Sequence, residues 1–190
     1  MGGDLGTDAG EVHAADVLHF WFDEVPPEKR FAKDDALDAE IARRFGAARD
    51  AVLAGDVAGW RGGPDEILAA IILLDQFSRN LHRGNAEAFA ADPLALSLTH
   101  AAIARGWDAA VDPDRRAFLY MPLMHAEDPV VQHESIDRFT KLGNAENLAF
   151  ARDHKAMIDR FGRFPSRNAA LGRVSTPEEQ AYLSQPDAGW

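Results

Sequence analysis

The sequence predicts an all-α fold in which about eight helices pack as antiparallel pairs. Apolar residues recur at spacings of three and four, and no segment shows the alternating pattern of a strand. Nearly every segment is bounded by residues that favour the start or the end of a helix. Two Asp-Pro helix starts, at Asp92 and Asp128, lie 36 residues apart, which is near the period of helical-hairpin repeats.

The individual helices are predicted from their boundary residues, in chain order. An aspartate or asparagine can cap the free N–H groups that begin a helix, and a glycine can end one in a left-handed conformation. A proline suits the first turn but not the interior, so Pro122 is expected to disrupt its helix before His125. The predicted helices cover 14–22, 34–55, a segment from Pro64, Asp92 to Gly106, 113–124, Asp128 to Gly143, Asn144 to Gly162, and a short segment from Pro177.

Size and composition suit one folded domain. The chain has 190 residues, of which 46% are hydrophobic, so it can bury a full core. We expect a disordered lead-in over 1–12 and a single domain over 13–190. Because cysteine is absent, disulfides, thiolate metal sites and a cysteine nucleophile are excluded. Separately, we predict no cofactor and no metal. No apolar run approaches the roughly 18 residues that span a bilayer, and the start lacks a signal-peptide pattern, so we expect a cytoplasmic protein without membrane contact.

Charge is distributed unevenly along the chain. The net charge of −11 disfavours nucleic-acid binding, which depends on basic side chains that neutralise phosphates. Residues 150–173 nevertheless hold six basic and two acidic residues, and 160–173 contains four arginines and no acid. This local basic region predicts either a site for an anion or partners for the arginines elsewhere in the fold.

Polar residues follow a fully apolar helical segment at 67–74. Groups that emerge from a buried helix must find partners. Asp75 and Arg79 are four residues apart and therefore face each other, and Arg83 is four residues further on. The segment is interpreted either as a buried ion pair that locks the helix ends or as a cavity lined by Arg79 or Arg83, with Asp75 orienting it.

Three titratable residues are candidates for acid–base chemistry. His125 and Glu127 form a His-x-Glu pair at a helix junction, a pair that can exchange protons or bind a metal, although no further ligands occur at a recognisable spacing. The alternative is a histidine that is hydrogen-bonded to a neighbouring helix end. His154 lies on an apolar stripe, where burial lowers the pKa of a histidine unless a carboxylate is near.

The segment 163–172 is predicted as a loop, since Gly162 ends a helix and Pro165 prevents its resumption. Phe161 and Phe164 would anchor this loop to the body of the protein. Arginines on an anchored loop suit a carboxylate or phosphate that is bound through both arms of the guanidinium. The alternative is that they bond helix carbonyls and buried acids.

Several motifs resemble those of the DUF924 family, bacterial and some eukaryotic proteins of unknown function. They cover nearly the whole chain from about Leu18. They are LHFWF at 18–22, ILLDQFSRNLHRG at 72–84, AFAADPLA at 88–95, FLYMPLMHAED at 118–128, FGRFPSRNAALGR at 161–173 and STPEE at 175–179. The family is similar to tetratricopeptide-type folds, so the resemblance implies a TPR-like, right-handed helical array. It implies no activity.

The resemblance also marks individual residues. Ser78 stands where the family often has a proline, and Ser166 where it often has a histidine. If that histidine were a family catalyst, this chain would lack it. The positions that match the family motifs are Asp75, Gln76, Arg79, Asn80, Arg83, His125, Glu127, Arg163, Arg167 and Asn168.

These patterns lead to one functional hypothesis and several alternatives. We expect a small anionic metabolite or an acidic peptide group to bind where three segments meet: 75–83, the junction at 125–127 and the loop at 163–168. The alternatives are a hydrolase that uses His125 and Glu127 or His154, an RNA-binding surface and a purely structural polar network. The sequence does not indicate the oligomeric state. The predicted ligand-binding residues are Asp75, Gln76, Arg79, Asn80, Arg83, Arg163, Arg167 and Asn168.

Overall fold

The described part of the chain is all-helical, as predicted. The computed structural model describes residues 11–55, 58–186 and 188, and no strand occurs among them. Of the predicted lead-in, residues 1–10 lie outside the described residues. The α-helices are α1 (Ala14–His19), α2 (Asp35–Leu53), α3 (Pro64–Ile71), α4 (Ser78–Leu81), α5 (Asp92–Ala104), α6 (Pro113–Met124), α7 (Pro129–Leu142), α8 (Ala145–Phe161) and α9 (Pro177–Leu183).

Two π-helical turns modify this arrangement. One continues α1 through Phe20–Glu24, and the other joins α3 to α4 through Ile72–Phe77. Because α3 and α4 are continuous through this turn, the described residues form eight helices, which is the number predicted from the sequence. The π turn between α3 and α4 carries the polar residues that follow the apolar segment.

Local capping explains why most helices start and end where the sequence predicts. The carboxylate of Asp34 accepts hydrogen bonds from two backbone N–H groups of the first turn of α2, each at 3.0 Å. Asp128 caps α7 and Asn144 caps α8 in the same way. Gly143 and Gly162 end these two helices with φ values of 82° and 71°, a left-handed conformation that glycine adopts without a steric cost.

One predicted boundary is wrong in detail, and one predicted helix contains a proline. Asp92 is the first residue of α5 instead of its cap, and no side chain caps this helix. α6 spans the predicted range, Pro113–Met124, and Pro122 lies inside it without ending it. The proline removes one backbone donor near the end of the helix, while the N–H of His125 still bonds the carbonyl of Met121 at 3.1 Å.

The core surrounds α3 and its π turn. Every side chain from Ile67 to Leu74 is fully buried. The ring of Phe77 packs against Trp21 and Phe45, with centroids 5.3 Å and 5.2 Å apart. Burial of such side chains is worth about 1.5–3 kcal/mol each. α3 contacts α1, α5 and α6, so the residues that follow it are held at the centre of the molecule.

The helices from α5 to α8 each pack against the next one in the chain. This order is consistent with an array of helix pairs joined by short connections. None of the helices in the described residues combines the length and the apolar character needed to cross a bilayer.

Candidate functional site

Asp75 lies in the π turn between α3 and α4, and its side chain is fully buried. Its Oδ1 atom accepts from Nδ1 of His125 at 2.7 Å and lies 3.1 Å from Nη1 of Arg79. Its Oδ2 atom accepts from Nε2 of Gln76 at 2.6 Å. Burial raises the pKa of Asp75, but the charges of Arg79 and His125 outweigh this effect and hold the pKa far below its usual range. Asp75 is therefore a buried, ionised carboxylate.

His125 caps the C-terminal end of α6, and its side chain is 14% exposed. Because Asp75 is ionised, Nδ1 carries a proton, and the neutral ring presents a lone pair at Nε2. No described residue forms a hydrogen bond with this Nε2 atom. Burial lowers the pKa of His125, although the charge of Asp75 opposes the shift. The imidazole is thus neutral, oriented by a carboxylate and basic at Nε2.

Asp92 joins two arginines from different segments. Arg79 donates from Nη1 and Nη2 to the two oxygens of Asp92, at 3.1 Å and 3.2 Å, and Arg167 donates from Nη1 to Oδ2 at 3.1 Å. Arg167 also donates to the backbone carbonyl of His125 at 2.9 Å. Together these contacts form a polar centre that consists of Asp75, Gln76, Arg79, Asp92, His125 and Arg167.

Aromatic rings fix the orientation of Arg167. Its guanidinium lies 4.6 Å from the ring centroid of Phe89 and 4.6 Å from that of Phe164. Guanidinium groups stack well on aromatic faces, and contact with two rings restricts the rotamers of the long side chain. Arg167 is therefore held in one orientation beside His125.

His154 extends the polar centre toward α8. Its ring centroid lies 5.7 Å from that of His125, and its Nδ1 atom is 2.8 Å from the carbonyl oxygen of Phe150. Burial, with a smaller contribution from His125, lowers the pKa of His154 to about 3. His154 is thus a neutral, buried histidine, as its position on an apolar stripe indicates.

Glu127 does not pair with His125. Its carboxylate accepts from Arg173 at 2.7 Å and 2.9 Å and from the backbone N–H of Phe164 at 2.7 Å. These contacts tie the loop at 163–172 to the junction of α6 and α7. The carboxylate that accompanies His125 is Asp75.

The other predicted ligand-binding residues have partners of their own. Asn80 and Arg83 donate to Asp38 of α2, at 2.7 Å and 3.0 Å. Arg163 and Asn168 donate to the buried Glu179 of α9, at 2.7 Å and 3.2 Å. The structure brings Asp75, Gln76, Arg79 and Arg167 together with His125, and it places Asn80, Arg83, Arg163 and Asn168 in two other polar contacts.

A family model described as "Bacterial protein of unknown function (DUF924)" matches residues 17–187. The protein belongs to the DUF924 family. A solved structure, that of the protein of unknown function ATU0120 from Agrobacterium tumefaciens, is similar, with 43% sequence identity and a TM-score of 0.86. The similarity covers 90% of this chain and 96% of that chain. No curated protein matches.

The basic segment of this DUF924 protein is matched by acids from elsewhere in the fold. Each arginine of the segment 160–173 contacts one carboxylate, and every one of these carboxylates lies outside the segment. The local excess of positive charge is therefore compensated in three dimensions. The pairs are Arg160 with Glu178 at 2.8 Å, Arg163 with Glu179 at 2.7 Å, Arg167 with Asp92 at 3.1 Å, and Arg173 with Glu127 at 2.7 Å.

Sequence reasoning missed several of these partners. The Asp-Pro pattern predicts only a helix start at Asp92 and no role for Phe89, although both lie in the motif AFAADPLA. Asp38 and Glu179 were also missed as partners of arginines. One signal was available: four arginines without a nearby acid require either a ligand or acids from other segments.

One surface cavity lies apart from the polar centre, between α7 and α8. Its volume is about 240 Å³. It contains no residue of the polar centre. The cavity is lined by His133, Ile136, Asp137, Arg152, Lys155, Ala156 and Asp159.

Within 11–55, 58–186 and 188, no group of three or more His, Asp or Glu side chains is placed to hold a metal ion.

Proposed function

We propose that this DUF924 protein is an enzyme of the hydrolase type in which His125 transfers protons. The observation that carries the proposal is the 2.7 Å contact between Nδ1 of His125 and the buried carboxylate of Asp75. In acid–base enzymes a carboxylate in this position selects the tautomer of the histidine and stabilises the imidazolium that forms.

Water is the nucleophile in this proposal. Ser78, the only hydroxyl residue in the π turn and α4, is buried and its Oγ atom accepts from Nε of Arg49 at 2.9 Å. His125 would take a proton from water at Nε2 as the oxygen attacks the substrate, and would then return that proton to the leaving group. Arg79 and Arg167 belong to the same polar centre and would donate to the oxygen that gains negative charge.

Kinetics of matched histidine variants test the proposal. The wild-type protein would be screened against small esters, amides and phosphoesters, and any activity compared with that of His125→Gln and His133→Gln. Loss of a general base lowers kcat/KM by about 10²–10⁴-fold, so His125→Gln should lose that factor. His133 is exposed on α7 and is the matched control. Wild-type activity that survives His125→Gln would exclude the mechanism.

A second candidate is a binding protein without catalysis. Arg79 and Arg167 retain N–H groups that no described residue accepts, which favours a small anionic metabolite or an acidic peptide group. In that case His125→Gln would bind the same compound, and the wild type would not turn it over. If no compound binds or reacts, the polar centre serves stability alone.

A TPR-like handedness and a cytoplasmic location are further proposals, and both rest on the sequence.

A further inference from the structure

The charges of the polar centre cancel when His125 is neutral. Asp75 and Asp92 supply two negative charges, and Arg79 and Arg167 supply two positive ones, all within 3.1 Å of a partner. The neighbouring pair of Glu127 and Arg173 is also balanced. An anion that entered this site by itself would therefore leave an uncompensated charge in a largely buried region, which is costly.

The arginines nevertheless keep donors for a ligand. A guanidinium has five N–H groups. Arg79 donates from Nη1 to the backbone carbonyl of Asp75 and to Asp92, and from Nη2 to Asp92. Arg167 donates once from Nη1 and once from Nη2. Among the described residues, no partner accepts from Nε of either arginine. The centre can thus offer hydrogen bonds to an oxyanion but has no spare positive charge.

His125 can supply the missing charge. Its Nδ1 atom already donates to Asp75, so a second proton would enter at Nε2 and convert the ring to imidazolium. The groups that face this ring are Asp75 from the π turn, Arg79 from α4, Asp92 from α5, His154 from α8 and Arg167 from the loop. His154 is not an alternative proton acceptor, because burial lowers its pKa to about 3.

We propose that the polar centre binds a small monoanion of the carboxylate class together with one proton, which His125 takes up. The proposal rests on the proposed function, since hydrolysis of a neutral ester with neutral His125 as the base leaves a carboxylate product and one proton beside this histidine. One proton on His125 balances one negative charge. A phosphate dianion would leave a charge uncompensated, so the site should prefer monoanions.

Calorimetry with acetate as the probe tests this coupling. Acetate would be titrated into the wild-type protein at pH 7.5, at equal ionic strength, in two buffers with different enthalpies of ionisation. The difference between the two heats gives the protons taken up for each acetate bound, and we expect about one. Acetate that binds without proton uptake would overturn the proposal.

The pH dependence gives a second measurement that needs no variant. Above the pKa of His125, the affinity for acetate should fall about tenfold per pH unit. Inorganic phosphate should bind more weakly as it changes from monoanion to dianion. Phosphate that binds more tightly as the dianion would also contradict the proposal.

Two variants locate the proton. His125→Gln should abolish the proton uptake and weaken acetate binding. Arg83→Gln, whose wild-type side chain bonds Asp38 instead, should keep both. If acetate does not bind in the millimolar range, the monoanion proposal is overturned. The acid–base proposal would still be decided separately, by the kinetic effect of His125→Gln.

Discussion

The carboxylate of Asp75 lies 2.7 Å from Nδ1 of His125, although 50 residues separate the two in the chain. The π turn between α3 and α4 supplies the acid, and the end of α6 supplies the imidazole. Such turns are rare and occur frequently at functional sites.

Asp75→Asn should destabilise the protein and change the tautomer of His125. Loss of one partner from a buried ion pair costs about 3–5 kcal/mol, and here Arg79 loses a charge partner while the neutral His125 loses the carboxylate that accepts from its Nδ1. Without the carboxylate, the neutral imidazole should no longer be fixed with its proton on Nδ1. Urea unfolding measures the first effect, and ¹⁵N chemical shifts of the ring measure the second.

Asp159→Asn is the matched control for this substitution. Asp159 is an exposed aspartate that pairs with Lys155 on α8. Surface substitutions usually change stability by less than about 0.5 kcal/mol, so the control should remain close to wild type. Equal losses for the two variants would show that Asp75 has no special role.

Asp92→Ala should leave Arg79 and Arg167 without their shared carboxylate. We expect a loss of about 3 kcal/mol or more, because two partly buried cations lose a counter-ion. Formate could occupy the space of the removed carboxylate and should restore part of the lost stability. Thermal unfolding with and without formate measures both effects.

Asp65→Ala controls for the position of Asp92 in its helix. Asp65 lies in the first turn of α3, and Asp92 lies in the first turn of α5. Removal of an exposed acid from a first turn costs only about 0.3–1 kcal/mol. If formate stabilises the Asp65 variant as much as the Asp92 variant, the effect of formate does not arise at the polar centre.

The sequence predicted local features of the fold well and distant pairings poorly. Asp34, Asp128 and Asn144 were recognised because a cap depends on groups within three residues. The contact between Asp75 and Arg79 was predicted because residues four apart share one helix face.

Distant pairings depend on how the helices pack. The local Asp-Pro pattern predicts a cap at Asp92, whereas its partners Arg79 and Arg167 lie 13 and 75 residues away. A local pattern also suggests a pair of His125 with Glu127, because the two are close in sequence. The fold instead brings Asp75 to His125 and Arg173 to Glu127, and no local pattern specifies these contacts.

Arg167→Lys should lower the acetate affinity of the polar centre, and Arg163→Lys should not. A lysine at 167 cannot stack between Phe89 and Phe164 while it bonds both Asp92 and the carbonyl of His125. We expect the acetate affinity, or kcat/KM once a substrate is known, to fall about tenfold, as is common when one charged hydrogen bond is lost.

The lysine variant at 163 is the matched control for this loss. Arg163 donates to Glu179 through two nitrogens and to the carbonyl of Val174, outside the polar centre. The substitution should lower thermal stability and leave acetate binding unchanged. An equal loss of affinity at both positions would mean that the whole loop, and not Arg167, determines binding.

The stability of the protein should fall as the pH falls below neutrality. Burial lowers the pKa of His154 from 6.5 to about 3, and it lowers the pKa of His125 as well. A group whose pKa is lowered in the folded state binds its proton more readily in the unfolded state. Between pH 6.5 and pH 3 the unfolded chain therefore holds one more proton at residue 154, and acidification favours unfolding.

The slope of stability against pH identifies the histidine. Each excess proton in the unfolded state lowers the free energy of unfolding by about 1.4 kcal/mol per pH unit. The free energy of unfolding, measured with urea from pH 7 to pH 5, should therefore fall more steeply with pH for the wild type than for His154→Gln. This holds whatever the stability of that variant at pH 7. His133→Gln, at an exposed position on α7, should keep the wild-type slope. If His154→Gln keeps it too, the buried histidine is not the cause of the pH dependence.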